Sequence, residues 1–319
     1  MGIDFARDAT RIVVAGRRAR TLDLRGALCV AQDDAPSART IAAWLDKMGV
    51  RGRAAAFCVS NSDVQEVPLE MPSMPEDDLA LAVRHAVSRE IGAPVGSLCI
   101  DHIARSAAGV ASEKAALLGL AVGVSIVENM TKRVGALGLT PKVADLRSMA
   151  LWRLVDHSHP WKKGMVVIAA EVQRENALLV FMRDGNCLFH REVPIDDGAE
   201  GLAGILAAVE SSRAEGKAGG REKSPVERLS EQLATEIRRS LHYGEYNLAL
   251  EEIEKIYVCG SGLPSGDIEA SVHQSSRLEC SVLDPLNDAE IPEDCLTLDG
   301  DEGPAFAIAA GLAIREDLS

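Results

Sequence analysis

MVVIAAEVQRENALLVFMRDGNCLFHREVPI, residues 165–195, reads as three consecutive strands. The apolar run from Met165 to Ala170 leads into a polar turn, Glu171 to Asn176, and a second apolar run follows from Ala177 to Met182. Asp184-Gly185 then turns the chain back through Cys187 to Val193. An Asp-Gly pair between apolar runs marks a hairpin, because a primed turn needs residues that tolerate positive φ. The same plan occurs near the N-terminus: Gly2 to Phe5, a polar turn from Ala6 to Thr10, then Arg11 to Ala15. A turn at Gly16-Arg17-Arg18 and a third run, Thr21 to Ala31, complete it. Two such units about one domain apart point to a duplicated α/β fold.

The 319 residues are enough for two domains, each with its own core. Apolar residues make up 47% without a low-complexity block, which predicts a globular chain. No run approaches the ~20 uninterrupted apolar residues of a membrane helix, and MGIDFARDATR does not read as a signal peptide. Seven cysteines fall singly, without a CxxC, as expected for buried free thiols in a reducing cytosol. Charge is divided unevenly: residues 1–163 carry a net +3 and residues 164–319 a net −17. From Asp284 to Glu302 there are eight acids and no Lys or Arg. Such a surface repels phosphate backbones and anionic lipid, and 3% aromatics leave little on which to stack bases. Nucleic acid is therefore excluded as an expected partner.

In chain order, Ser37 to Met48 is helix-like and ends at Gly49, and Arg53 to Ser60 is a strand. Residues 62–105 read as a small strand–helix–strand insertion. Its helix is announced by a Ser73/Glu76 capping box with Pro75 in the first turn, and stopped by Gly92 and Pro94. The host fold is expected to resume with Ala115 to Val124 as a buried strand. A Ser125/Glu128 capping box then opens a helix from Ile126 to Leu137. Thr140 to Asp145 reads as a strand and Leu146 to Val155 as a helix. His157-Ser158-His159-Pro160 reads as a polar linker, since no carboxylate or thiol partner for a metal is evident. Residues 200–210 form a short helix and residues 211–223 a hydrophilic loop. Ser224, Pro225 and Glu227 cap a helix whose stripe, Leu229, Leu233, Ile237 and Leu241, is core-facing. Glu254 to Cys259 is a strand running into Gly260-Ser261-Gly262. A helix near 266–274, a strand over 278–283 and a terminal helix from Pro304 follow. The alternation favours a layered α/β architecture.

Several short motifs share an order along the chain: Gly2-Ile3-Asp4, Met74-Pro75-Glu76, Arg183-Asp184-Gly185 and Glu236-Ile237-Arg238-Arg239-Ser240-Leu241. Leu283-Asp284-Pro285-Leu286 and the closing PAFAIAAGLA, residues 304–313, add to them. In these the chain resembles the PilM family of type IV pilus assembly proteins, within the actin-like superfamily of actin, Hsp70 and sugar kinases. The resemblance implies a two-lobed actin-like α/β fold, residues 1–163 and 164–319, with residues 62–105 as the inserted subdomain also found in the cell-division protein FtsA. It implies a cytoplasmic scaffold, peripheral at the inner membrane through its partners. Those would be the cytoplasmic tail of a PilN-like bitopic protein and other platform proteins of a pilus or secretion machine. No membrane helix of the FtsA type is visible near the C-terminus.

The resemblance also locates a cleft. Actin-like ATPases hold phosphates on two small-residue turns, where backbone N–H groups must approach closely. Here the first turn is Ala6-Arg7-Asp8-Ala9-Thr10. In the second, counting back from Arg183-Asp184-Gly185 places Glu171 on the family's Asp and Gln173 on its Gly. The candidate nucleotide residues are Asp4, Glu171, Gly260 and Gly262. Asp4 would reach Mg²⁺ through water or, on the plainer reading, cap a turn. Gly260 and Gly262 would face the adenosine or simply join a strand to a helix. Arg7 and Arg174 would clamp a phosphate or lie solvated. Bulky Arg7, Gln173 and Arg174 crowd a phosphate cradle, and Asp8 and Glu175 repel phosphate. The expectation is weak or absent nucleotide binding, no cofactor and no catalytic residue. An ATPase or sugar-kinase-like enzyme binding ATP and Mg²⁺ is the alternative, and it would need an intact cradle and a catalytic carboxylate.

Overall fold

Strands β1 (Gly2–Phe5), β2 (Ala9–Ala15) and β3 (Leu24–Ala31) form an antiparallel meander, and β4 (Ala54–Val59) and β8 (Thr140–Leu146) extend it in parallel beyond β1. The order β3-β2-β1-β4-β8 recurs in a second sheet as β11-β10-β9-β12-β13. Its members are β9 (Val166–Val172), β10 (Asn176–Arg183), β11 (Asn186–Pro194), β12 (Ile253–Gly260) and β13 (Glu279–Val282). Antiparallel and parallel pairings fall in corresponding places. The computed structural model describes residues 1–16, 23–31, 34–104, 114–173, 176–195, 224–243, 247–261, 263, 267–298 and 303–318. The helix expected at 200–210 and the loop 211–223 lie outside them, as do Arg17, Arg18, Arg20, Arg174, Glu175 and Gly262.

The Asp184-Gly185 turn forms as its residues require, with φ of 51° and 76°. β9 alternates: Val166, Ile168, Ala170 and Val172 pack in the outer core of their sheet, whereas Val167 and Ala169 face the layer between the two sheets. A strand's period of two places Glu171 on that inner face as well. Helices α5 (Pro225–Ser240) and α6 (Asp267–Ser276) cover the outer face. The α5 stripe Leu229, Leu233, Ile237 and Leu241 is buried to 5% exposure or less. Its Ser224/Glu227 capping box is present in both directions. On the first sheet, α1 (Asp34–Lys47) and α3 (Val124–Ala136) cover the outer face through Ile41, Leu45 and Val134.

The inner layer holds α4 (Arg147–Ser158) and α7 (Ala307–Ala313). α7 lies so close to its neighbours that a Cβ on Gly311 would sit 2.0 Å from the Ala150 carbonyl oxygen. A Cβ on Gly2 of β1 would likewise meet the Ala309 carbonyl oxygen at 2.0 Å. The division of the chain at 163/164 is thus not followed by its last segment. α7 packs on β1, β2 and β4, and β14 (Leu296–Thr297) pairs parallel with β3.

The inserted unit also differs from the sequence reading. β7 (Lys114–Gly123), expected in the host sheet, is instead the centre of a separate three-stranded antiparallel sheet, β5-β7-β6. Its partners are β5 (Val64–Pro72) and β6 (Leu98–Ala104), and α2 (Glu76–Ile91) packs on it through Val83 and Val87. Gly119 lets that helix approach, since a Cβ there would lie 2.4 Å from Val87 Cγ2. The Ser73 and Ser125 capping boxes do not form. α2 has Pro75 and α3 has Gly123 at the N-cap, both without a side-chain cap, while Gly92 ends α2 at φ 75° as expected.

The inner layer should therefore be intolerant of added volume. Gly311→Ala is expected to cost about 1–3 kcal/mol, as overpacking against rigid backbone does. Gly135→Ala in α3, where nothing lies within 4 Å of the new Cβ, is expected to be neutral or mildly stabilising. Denaturant midpoints of the two variants check the contrast.

Candidate functional site

Asp4 on β1 and Glu171 on β9 occupy corresponding strands of the two sheets, and alternation turns both into the layer between them. They are 1% and 5% exposed. Two buried carboxylates from opposite sheets need a cation, and α4 supplies it. Arg147 opens that helix, one residue after the end of β8. Its Nη1 donates to Asp4 Oδ1 at 2.5 Å and its Nη2 to Asp4 Oδ2 at 3.3 Å. Its Nε donates to Glu171 Oε2 at 3.3 Å, and Nη2 also bonds Glu171 Oε1. Nη1 further donates to Cys58 Sγ at 3.8 Å. Those five contacts match the five N–H donors of a guanidinium. Burial alone would push the Arg147 pKa down, but Asp4 and Glu171 outweigh it and hold it well above the usual arginine value.

The surroundings repeat the duplication. Cys58 on β4 donates to Asp4 Oδ1 at 3.6 Å, and Cys259 on β12 stands in register with Glu171. Both thiols are pushed far up by burial, with the neighbouring carboxylates adding to it, so they stay protonated. Gln173 Nε2 donates to Glu171 Oε2 at 3.2 Å. The start of α4 is pinned from outside as well. Asn61 Nδ2 donates to Ser148 Oγ at 2.8 Å, and Ser148 N–H donates to Asn61 Oδ1 at 3.2 Å. These bonds fix the helix terminus from which the Arg147 side chain extends.

The remaining cleft residues close on one another. Asp8, in the first turn, accepts from Arg11 Nη2 at 2.6 Å and from Ser261 Oγ at 3.0 Å, so the turn is tied to the loop after β12. Burial acts to raise the Asp8 pKa, and the Arg11 contacts outweigh it and hold it below the usual carboxylate value. Arg7 is exposed. Gly260 has φ +133°, and a Cβ there would sit 2.1 Å from the Val172 carbonyl oxygen. The glycine is required by the β9–β12 approach. His159, read as a linker residue, is 7% exposed and stacks edge-on against Trp161 and Tyr257.

Asp4 and Glu171 thus meet on Arg147, a group the sequence reading missed, while Gly260 packs against the Val172 backbone. Its signal was present: Arg147 lies at i relative to Ala150, Leu151 and Leu154, on the apolar stripe of its helix. A charge in that position calls for a buried counter-charge.

The family model of the type IV pilus assembly protein PilM matches residues 31–317. The chain belongs to the PilM family. Among solved structures, it is similar to a PilM-PilN type IV pilus biogenesis complex, with a TM-score of 0.74 at 19% identity, covering 98% of this chain and 97% of that one. It is also similar to the ethanolamine utilization protein EutJ from Carboxydothermus hydrogenoformans, with a TM-score of 0.50 at 11% identity, covering 98% and 88%. No curated protein sequence matches. The fold of this PilM-family chain is an actin-like α/β fold. Among the described residues, no helix is long and apolar enough to cross a membrane.

Breaking one arm of the buried triad should be costly, because it strands a desolvated charge. Arg147→Met is expected to lose about 3–5 kcal/mol. Arg147→Lys is not expected to restore the wild-type value, since an ammonium has three donors and no fork. Adding Asp4→Asn and Glu171→Gln to Arg147→Met should recover part of the loss. Chemical denaturation of the four proteins checks the order.

Proposed function

We propose that this protein is a non-catalytic cytoplasmic scaffold of a type IV pilus or related secretion platform, held at the inner membrane by the cytoplasmic tail of a PilN-like bitopic protein. The observation that carries the reading is the Arg147 guanidinium between Asp4 and Glu171. Every donor it has is engaged by the chain, so none is left for a phosphate, and the carboxylates that would approach Mg²⁺ are themselves engaged. Residues 1–163 and 164–319 act as two lobes, with β14 and α7 returning to the first. Nucleotide binding is weak or lost, and the fold serves through its surface.

The tail docks in extended form beside the inserted sheet. Both outer strands of that sheet, β5 and β6, are edges, and extended tails bind such edges by adding a strand. At the root of β5 there is a groove of about 260 Å³, lined by Asn61, Val64 and Glu66 on one side and His190, Arg191 and Tyr243 on the other.

Binding of the cognate tail peptide to the full chain, followed by fluorescence anisotropy, tests this. Replacing residues 64–123 by a short linker, in a product shown by melting to be folded, should abolish binding, and Glu66→Lys in the full chain should weaken it. Undiminished binding by both variants would place the docking site elsewhere.

A further inference from the structure

We propose that Asp4 and Glu171 form a divalent-cation site whose resident occupant is the chain's own Arg147 guanidinium. The inference deepens the scaffold reading and rests on its view of the cleft. Actin-like ATPases use this cleft for a magnesium nucleotide, and the residues here do not fit that group. The two acceptor side chains spend four of their contacts on Arg147, Asp8 reaches across to Ser261, and Gly260 faces backbone rather than a ligand. Of these, the Arg147 contacts are the ones that a single substitution removes, which makes them testable.

The electrostatics support the assignment. Asp4 and Glu171 carry two negative charges against one on Arg147, and a divalent ion in place of the guanidinium would neutralise the pair. The donors offered would be hard carboxylate oxygens, the kind that Mg²⁺ and Mn²⁺ take, often only one or two per site with water completing the shell. In the native chain the bridge between the sheets is consequently covalently tethered. It cannot dissociate, exchange or respond to nucleotide, as a bound metal can.

The experiment uses the full chain and Mn²⁺ alone as probe, with bound ion read by the loss of the free Mn²⁺ resonance and stability by thermal melting. The wild-type protein should bind no Mn²⁺ at this site and melt unchanged in millimolar Mn²⁺. Arg147→Ala should bind one Mn²⁺ per chain and melt higher with it, and Asp4→Asn added to that variant should remove both effects. Arg147→Gln, which keeps two amide donors in the gap, is the second variant and should behave alike. Should either variant fold poorly, refolding with and without Mn²⁺ decides, because the ion should replace the missing charge. Folded variants that bind no Mn²⁺, binding insensitive to Asp4→Asn, or failure of both variants to refold in Mn²⁺ would overturn the proposal. Wild-type binding of Mn²⁺ that Asp4→Asn abolishes would overturn it too. Loss of tail capture would instead sink the scaffold reading and leave this assignment standing.

Discussion

The ion triad Asp4–Arg147–Glu171 is the constraint on which the centre of this molecule depends. A carboxylate buried alone is expensive, and two facing each other are worse, so each sheet could place an acid on its inner face only if the layer between supplied a cation. α4 does so at its first residue. Its amino-terminal dipole also favours the two acids. The bidentate geometry of a guanidinium, as opposed to a lysine point charge, lets one side chain hold both acids at once. A buried ion pair of this kind is weak evidence for stability, because desolvation offsets much of the attraction. Its value lies in fixing how two sheets are placed relative to each other.

The rest of the inner layer follows from the same closeness. Gly2 and Gly311 allow α7 to approach β1 and α4 with no side chain between, and Ala150, Ala309 and Ala310 keep the packing thin. Small residues there shorten the distance that Arg147 must span. Fold and site are in this sense one arrangement, since thickening the layer would pull the acids from their cation.

Much of this was legible from local chemistry. The β9–β10–β11 hairpins could be read because Asp184-Gly185 needs positive φ and the flanking runs are apolar, and α5 because its capping box and its stripe agree. The resemblance led to Asp4 through the opening Gly2-Ile3-Asp4 and to Glu171 by counting back from Arg183-Asp184-Gly185. What escaped was non-local. β7 is apolar throughout after Lys114, so nothing in its own residues says which sheet it joins; that is decided by its ladders with β5 and β6. Ser73 and Ser125 carry capping spacings, but strand pairing through Pro72 and Gly123 sets where the chain turns into each helix. Arg147 has partners 143 and 24 residues away, and only its place on an apolar stripe betrayed it.

If the chain serves as the scaffold proposed above, a tethered bridge means that the two sheets keep one relation whatever the nucleotide level. In that proposal partner binding depends on surfaces such as the inserted sheet and not on occupancy of the cleft. Amide hydrogen exchange on the native protein, with and without millimolar MgATP, tests this most directly. Exchange should be unchanged over Gly2–Arg11, over the start of α4 and over Val166–Gln173. Protection of these segments on adding MgATP would contradict it and mean that the cleft opens to take the nucleotide.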